Sequence, residues 1–319
     1  MLLRHGEIAA PVARASSCNL VLISRPSVNT WEDFAELAGF IREADPRVHP
    51  IVLSDEEHRL RRQFLRLRRT MLFSPAEVKN FYLRRGMAWV GNPMSKSEEM
   101  ERLVAAGVSV PPYELLTEQE QTKDLSHLGD YVVTKPDRGG RGANVLLLRA
   151  SKVKWAPQET RIAGKSRILV AQKFIWTGPF PISYRVTSLF GECLWSERIE
   201  ASNKRAPQID KGKGVSGTIV SSSKDSVYKL NYDEEIIQFG LAAHRAFPKI
   251  PLLGIDVIRD ANTGKLYVTE VNASGYVWHF TSPKGLQTQA QFGYRLESQF
   301  DGRRKAAGIL ARKAMEHAK

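Results

Sequence analysis

An α/β (α+β) protein is what the sequence predicts, with a small parallel α/β domain followed by two lobes built largely from hairpins. Three observations carry that expectation. Strand-like and helix-like segments alternate over residues 19–91, as a parallel sheet with crossover helices requires. Beyond residue 130 the β-rich runs come in pairs joined by glycine-containing turns. The chain has 319 residues with 42% hydrophobic and 9% aromatic content, enough for two or three folded cores.

In order, residues 1–18 read as a loosely docked tail without the continuous apolar core of a signal peptide. Asn19–Ser24 is a buried strand, and Trp31–Ala44 a helix with Phe34, Leu37, Ala38 and Ile41 on one stripe. Strands follow at Arg47–Leu53, Thr70–Phe73 and Met87–Val90. Helices are expected at Asp55–Arg68 and at Pro75–Arg84, the second capped by Ser74. This first domain, 19–91, holds no recognisable catalytic cluster.

A second unit, 92–175, opens with Ser95 and Glu98 at capping-box spacing, which puts Lys96 in the first turn of a helix. A cation there opposes the helix dipole and makes sense if an anion binds alongside; a solvated lysine is the plainer reading. Tyr131–Thr134 runs into Lys135-Pro136-Asp137-Arg138-Gly139-Gly140-Arg141-Gly142, and Ala143–Leu148 is a strand again. Strand–loop–strand excludes a P-loop and a dinucleotide fingerprint, both of which need a helix after the glycines. Backbone N–H groups and arginines in such a flap suit a polyphosphate. Residues 151–166 read as a surface connection, and Ile168–Ile175 as a strand entering a Gly/Pro hinge at Trp176–Pro181.

The third unit, 176–319, contains a hairpin about Gly191 carrying Arg185 and Arg198, a basic loop at 202–217 that includes Lys211, and a helix over Asp233–Phe247. A closing basic helix spans Phe300–Ala318. Between them lies Leu252–Gly275, LLGIDVIRDANTGKLYVTEVNASG, a hairpin turning at Asp260–Gly264. A turn centred on Thr263 sets Asp256 opposite Glu270, and the period of two puts Asn272 on the same face. Two carboxylates facing each other repel unless a cation sits between them, and hard oxygen donors of this kind suit Mg²⁺. Taken alone, the pair reads equally as solvated charge on an amphipathic hairpin.

Net charge is +13, from 47 Lys and Arg against 34 Asp and Glu, with pI near 9.8. That excess favours anionic partners, nucleotides or nucleic acid among them, although the six arginines of Arg59–Arg69 read as a solvated helix face. Only Cys18 and Cys193 are present, which excludes a disulfide framework and points to a reducing, cytoplasmic setting. No stretch approaches the roughly 20 apolar residues of a membrane span.

Together these motifs resemble the ATP-grasp superfamily over about residues 19–295, and within it the ribosomal-protein glutamate ligases and D-alanyl-D-alanine ligases. Lys96 with Leu103, Gly107 and Pro111 is similar to the first nucleotide lysine and its helix. VVTKPDRGGRG is similar to the second, Lys135, with its phosphate-covering loop Arg138–Gly142. LVAQKFI resembles the adenine hinge, implying Gln172 and the backbone of Lys173, Phe174 and Ile175 at the base. GIDVI…LYVTEVNASG resembles the metal motif, implying Asp256, Glu270 and Asn272 as ligands. The implied fold is ATP-grasp with an N-terminal pre-ATP-grasp domain, the implied cofactors ATP and Mg²⁺ or Mn²⁺, and the implied reaction the joining of a carboxylate to an amine through an acylphosphate. Arg198 is then the candidate for stabilising charge at the acyl centre, with Arg185 and Lys211 as helpers; Arg185 reads equally as a structural ion-pair partner. Two departures stand out: Ser183-Tyr184-Arg185 where relatives carry Asp-x-Arg, and Ser274-Gly275 followed by Tyr276–Phe280 where many carry Pro-Gly. A kinase-like phosphotransferase and a nucleotide- or nucleic-acid-binding protein without turnover remain alternatives, and a homo-oligomer stays open.

Overall fold

Four parallel strands form the first unit, in the order β2-β1-β3-β4: β1 Cys18–Ser24, β2 Val48–Ser54, β3 Thr70–Ser74 and β4 Gly86–Val90. The computed structural model describes residues 17–26, 28–54, 69–78, 83, 86–121, 123–140, 144–160, 164–204, 226–275 and 277–317. Every residue of β1 is buried, as a parallel strand covered on both faces should be. Helix α1, Trp31–Ala44, starts where Thr30 accepts a hydrogen bond from Asp33 N and buries the expected stripe Phe34, Leu37, Ala38 and Ile41. The helix expected over 55–68 lies outside the described residues. The one expected over 75–84 is not formed at 75–78, where Ser74 Oγ instead accepts from Ala76 N in a tight turn.

The second unit begins with α2, Lys96–Ala105, capped by Ser95, and carries an antiparallel sheet in the order β5-β10-β6-β7. Its strands are β5 Tyr113–Leu116, β6 Tyr131–Pro136, β7 Leu146–Arg149 and β10 Leu169–Lys173. β7 begins later than expected, because Asn144 takes a left-handed conformation (φ 60°) that ends the glycine loop in a turn. The connection at 151–166 folds into a two-stranded hairpin, β8 Gln158–Thr160 with β9 Gly164–Ser166.

A five-stranded antiparallel sheet, β13-β12-β11-β14-β15, forms the third unit. Its strands are β11 Ile182–Leu189, β12 Glu192–Ala201, β13 Ser226–Leu230, β14 Leu252–Arg259 and β15 Leu266–Asn272. Phe190 (φ 48°) and Gly191 (φ 84°) make the β11–β12 turn, where the glycine takes its positive φ without a Cβ clash. Helix α3, Glu234–His244, capped by Asp233, covers one face of this sheet. Two short helices were not expected from the sequence, α4 Pro283–Phe292 and α5 Glu297–Phe300.

The last helix, α6 Gly302–His317, belongs by sequence to the third unit but packs along α1 and against β1. Ala306, Ala307, Leu310, Ala311 and Ala314 bring the two helices together, and Arg303 bridges Asp33, Glu36 and Glu297. Of the distinctive aromatic stretch, residues 277–280 are core. Trp278 is fully buried, edge-on to Phe34 at 5.7 Å, and its indole N–H donates to the Asp33 carboxylate of α1. His279 is buried too, its Nδ1 against the Ser282 hydroxyl that caps α4. Both cysteines are buried and unpaired. Among the described residues no helix is long and apolar enough to cross a membrane.

Candidate functional site

Strand pairing puts Asp256 directly opposite Glu270 and Gly254 opposite Asn272, as expected, but the turn itself is centred between Asn262 and Thr263 rather than on Thr263. Between Asp256 and the turn the register shifts, so that Val257 faces Val268 and Thr269 is the extra residue of a β-bulge. The bulge turns two groups of Thr269 to use: its hydroxyl donates to Asp256 O (3.2 Å), and its carbonyl accepts from Lys135 Nζ (2.9 Å). Lys135 on β6 is thereby tied to the carboxylate hairpin across 134 residues of chain.

Lys96 reaches the same point from the first turn of α2. Its Nζ donates to Gly139 O (3.0 Å) and lies 3.5 Å from Glu270 Oε1. Asp137 docks the glycine loop on this helix: its carboxylate accepts from Ser97 N (2.8 Å) and its carbonyl from Lys96 N (2.9 Å). Lys96 and Lys135 therefore converge on the root of the loop, although they stand 39 positions apart in sequence. Arg138 and Gly140 follow within the loop; Arg138 is exposed, and Arg141 and Gly142 lie outside the described residues.

Two further groups complete the cluster: Glu99, which the sequence did not single out, and Arg185, which it offered as a helper at the acyl centre or equally as a structural ion-pair partner. Glu99, one turn after Lys96, is buried and accepts from Val271 N (3.1 Å), the backbone between Glu270 and Asn272. Burial, reinforced by the negative charge of Glu270, pushes its carboxyl up to about 8; burial likewise pushes the Lys135 ammonium down to about 8, against the pull of Glu270. The sequence did carry a signal for Glu99, since it shares the apolar stripe of Met100 and Leu103. The second is Arg185 on β11, whose guanidinium grips Asp256 through two 2.8 Å hydrogen bonds, Nε to Oδ1 and Nη2 to Oδ2. Burial opposes that charge, but the Asp256 carboxylate outweighs it and holds Arg185 above its ordinary value.

A raised carboxyl value has a definite linkage sign. Glu99 is neutral in the fold up to about pH 8 but ionises near 4.5 when exposed, so the stability it confers is complete below pH 4.5 and lost as pH rises through 8. Glu99→Gln keeps an oxygen for Val271 N and removes the titration. Thermal melts should therefore show wild type losing ground to Glu99→Gln between pH 5 and 8, and a pH-independent gap would contradict this.

Arg198 stands elsewhere. It pairs with Tyr184, which in turn pairs with Val257, on the face covered by α3, and its Nη1 binds Glu200 (2.6 Å). Alternation of side chains puts Arg185 and Asp256 on the other face, so Arg198 is not brought to the carboxylates. Lys211 lies outside the described residues. Gln172 is buried and donates Nε2 to Met100 Sδ, toward α2. Lys173 N donates to Pro112 O and Phe174 N to Tyr131 O, while Ile175 is buried just beyond the end of β10.

Asp256, Glu270 and Asn272 fit a hard divalent cation chemically: two carboxylates and an amide oxygen on one face, with side chains of Asp256 and Glu270 20% and 33% exposed to solvent. Their negative charge is met here by Arg185 and Lys96. Asn272 turns Nδ2 toward Gly254 O and Asp256 Oδ2, both at 3.3 Å.

No protein-family model and no curated protein matches this sequence. Several solved structures share its architecture. ATP-grasp ligase PsnB, complexed with a phosphomimetic variant of minimal precursor, Mg and ADP, superposes with a TM-score of 0.53 at 14% identity, over 95% of this chain and 100% of that one. D-cycloserine synthetase DcsG gives 0.51 at 14% identity, over 93% and 99%. D-alanine–D-alanine ligase from Bacillus anthracis gives 0.49 at 15%, over 94% and 99%. Since the first two superpositions run nearly the full length of each chain, the protein described here has the ATP-grasp fold.

Proposed function

We propose that the protein is an ATP-dependent carboxylate–amine ligase that makes an amide or peptide bond through an acylphosphate, releasing ADP and phosphate. The observation that carries this reading is the convergence of Asp256, Glu270 and Asn272 with Lys96 and Lys135 at the root of the glycine loop. The two superposed structures of the same fold, an ATP-grasp ligase and a D-cycloserine synthetase, support the reaction class.

In this scheme Lys96 and Lys135 bind the phosphates, the loop from Arg138 to Gly142 covers them, and the backbone of Lys173–Ile175 borders the base. Asp256, Glu270 and Asn272 hold the Mg²⁺, which when bound offsets charge on the phosphate oxygens. A carboxylate oxygen of the first substrate forms a bond to the γ-phosphorus while the bond to the bridging oxygen breaks and ADP leaves. The amine nitrogen then attacks the acyl carbon, phosphate departs with the electron pair of the broken C–O bond, and the proton lost by the amine passes to the released phosphate. Positioning and charge neutralisation suffice for such a transfer, so no protein nucleophile is needed. Arg185 rather than Arg198 takes the role at the acyl centre, because it shares the face of the carboxylates; Lys211 in the basic loop is its proposed helper.

A panel of carboxylic acids offered with Mg·ATP and hydroxylamine tests the reading. The expected product is a hydroxamate formed together with ADP. A stable phosphorylated alcohol with no hydroxamate would instead identify a phosphotransferase.

A further inference from the structure

One row of side chains crosses the third sheet from its β15 edge: Glu270, Asp256, Arg185 and Glu197 are directly opposed on successive strands, on one face. Arg185 thus sits between two carboxylates, each with its Cβ within about 5 Å by cross-strand geometry. It grips only Asp256 in this structure. Glu197 is 6% exposed and accepts a hydrogen bond from the Tyr294 hydroxyl, which anchors it from the segment after α4. A buried carboxylate facing a guanidinium it does not hold is costly unless it serves another arrangement.

A cation on the metal ligands would give it one. Arg185 occupies one acceptor position on each oxygen of Asp256 and Asn272 Nδ2 a second on Oδ2, so a divalent cation between Asp256 and Glu270 competes with the guanidinium for that carboxylate and repels its charge, which favours loosening those hydrogen bonds. A guanidinium so displaced needs a second acceptor on the same face, and Glu197 is the adjacent one.

We propose that Glu197, fixed by Tyr294, is a positioning residue for Arg185: it receives the guanidinium when a divalent cation takes Asp256, and holds it on the substrate side of the carboxylate pair. The inference rests on the metal assignment of the proposed function. It makes Arg185 the resident counter-ion of the pair, exchanged for the metal rather than stacked against it.

Mn²⁺ binding, read by electron paramagnetic resonance of the free ion with a non-hydrolysable ATP analogue present, tests the idea without turnover. Glu197→Gln should weaken Mn²⁺ about tenfold, the low end for groups that orient a metal site, with no loss of melting temperature for the metal-free protein. Tyr294→Phe should act in the same direction more weakly. In an Arg185→Gln background the Glu197→Gln effect should largely vanish, because the guanidinium through which it acts is gone. Mn²⁺ affinity within twofold of wild type in Glu197→Gln, or an equal loss in the Arg185→Gln background, would overturn the proposal. If wild type binds no Mn²⁺, or Glu270→Gln binds it normally, the metal assignment fails and takes the proposal with it. If Glu270→Gln abolishes binding that Glu197→Gln leaves intact, only the proposal fails.

Discussion

Glu270→Gln should reduce Mg²⁺-dependent ATP turnover by roughly 100-fold or more, at or beyond the loss typical of removing a group that merely supports a metal ligand. The fold should not suffer. Glu270 is one-third exposed, its loss relieves repulsion with Asp256, and Lys96 keeps its hydrogen bond to Gly139 O. Steady-state ADP release at saturating Mg·ATP, alongside a thermal melt, checks both halves. Turnover near wild type would remove Glu270 from the ligand set.

Asp256→Asn should behave differently, although the two carboxylates face each other in the same hairpin. It loses a ligand as Glu270→Gln does, so turnover should fall at least as far. It also strips Arg185 of the carboxylate it grips through two hydrogen bonds, leaving a guanidinium with only 23% of its side-chain surface in solvent. Breaking such a pair should cost about 1–3 kcal/mol, under the value for a fully buried pair because water still reaches both groups and Glu197 offers the guanidinium a second acceptor. Chemical denaturation of the two variants side by side would read the difference. Equal stability of Asp256→Asn and Glu270→Gln would show that the ion pair adds nothing to the fold.

Local pattern made much of this molecule legible. Helix α1 begins and ends where its cap and stripe place it, whereas Asp256 meets Glu270 only because the bulge at Thr269 shifts the register set by the turn by one residue. The lysines were legible for a related reason, since each lies within a few residues of a strong local signal, a helix cap or a glycine loop. What escaped depends on tertiary partners. Alternation along β12 shows that Glu197 and Arg198 face opposite ways, but only the positions of α3 and β14 decide which of them meets the carboxylates. The stripe of Met100 and Leu103 marks Glu99 as inward-facing, but only β15 supplies Val271 N as its donor. Trp278 follows the Asp256–Asn272 hairpin closely in sequence, yet it is drawn into the core by Phe34 and Asp33 of α1, some 245 residues away. The bulge at Thr269, which creates the acceptor for Lys135, leaves no mark in an alternating strand pattern.

In the proposed function one cluster binds ATP through Lys96 and Lys135 and its metal through Asp256, Glu270 and Asn272. Calorimetric titration of a non-hydrolysable ATP analogue, with and without Mg²⁺, into wild type, Lys135→Ala and Glu270→Gln tests it most directly. The account predicts that Mg²⁺ tightens binding to wild type, that Lys135→Ala weakens binding under both conditions, and that Glu270→Gln removes the Mg²⁺ enhancement. Binding to wild type that is indifferent to Mg²⁺, or a full Mg²⁺ enhancement retained in Glu270→Gln, would contradict it.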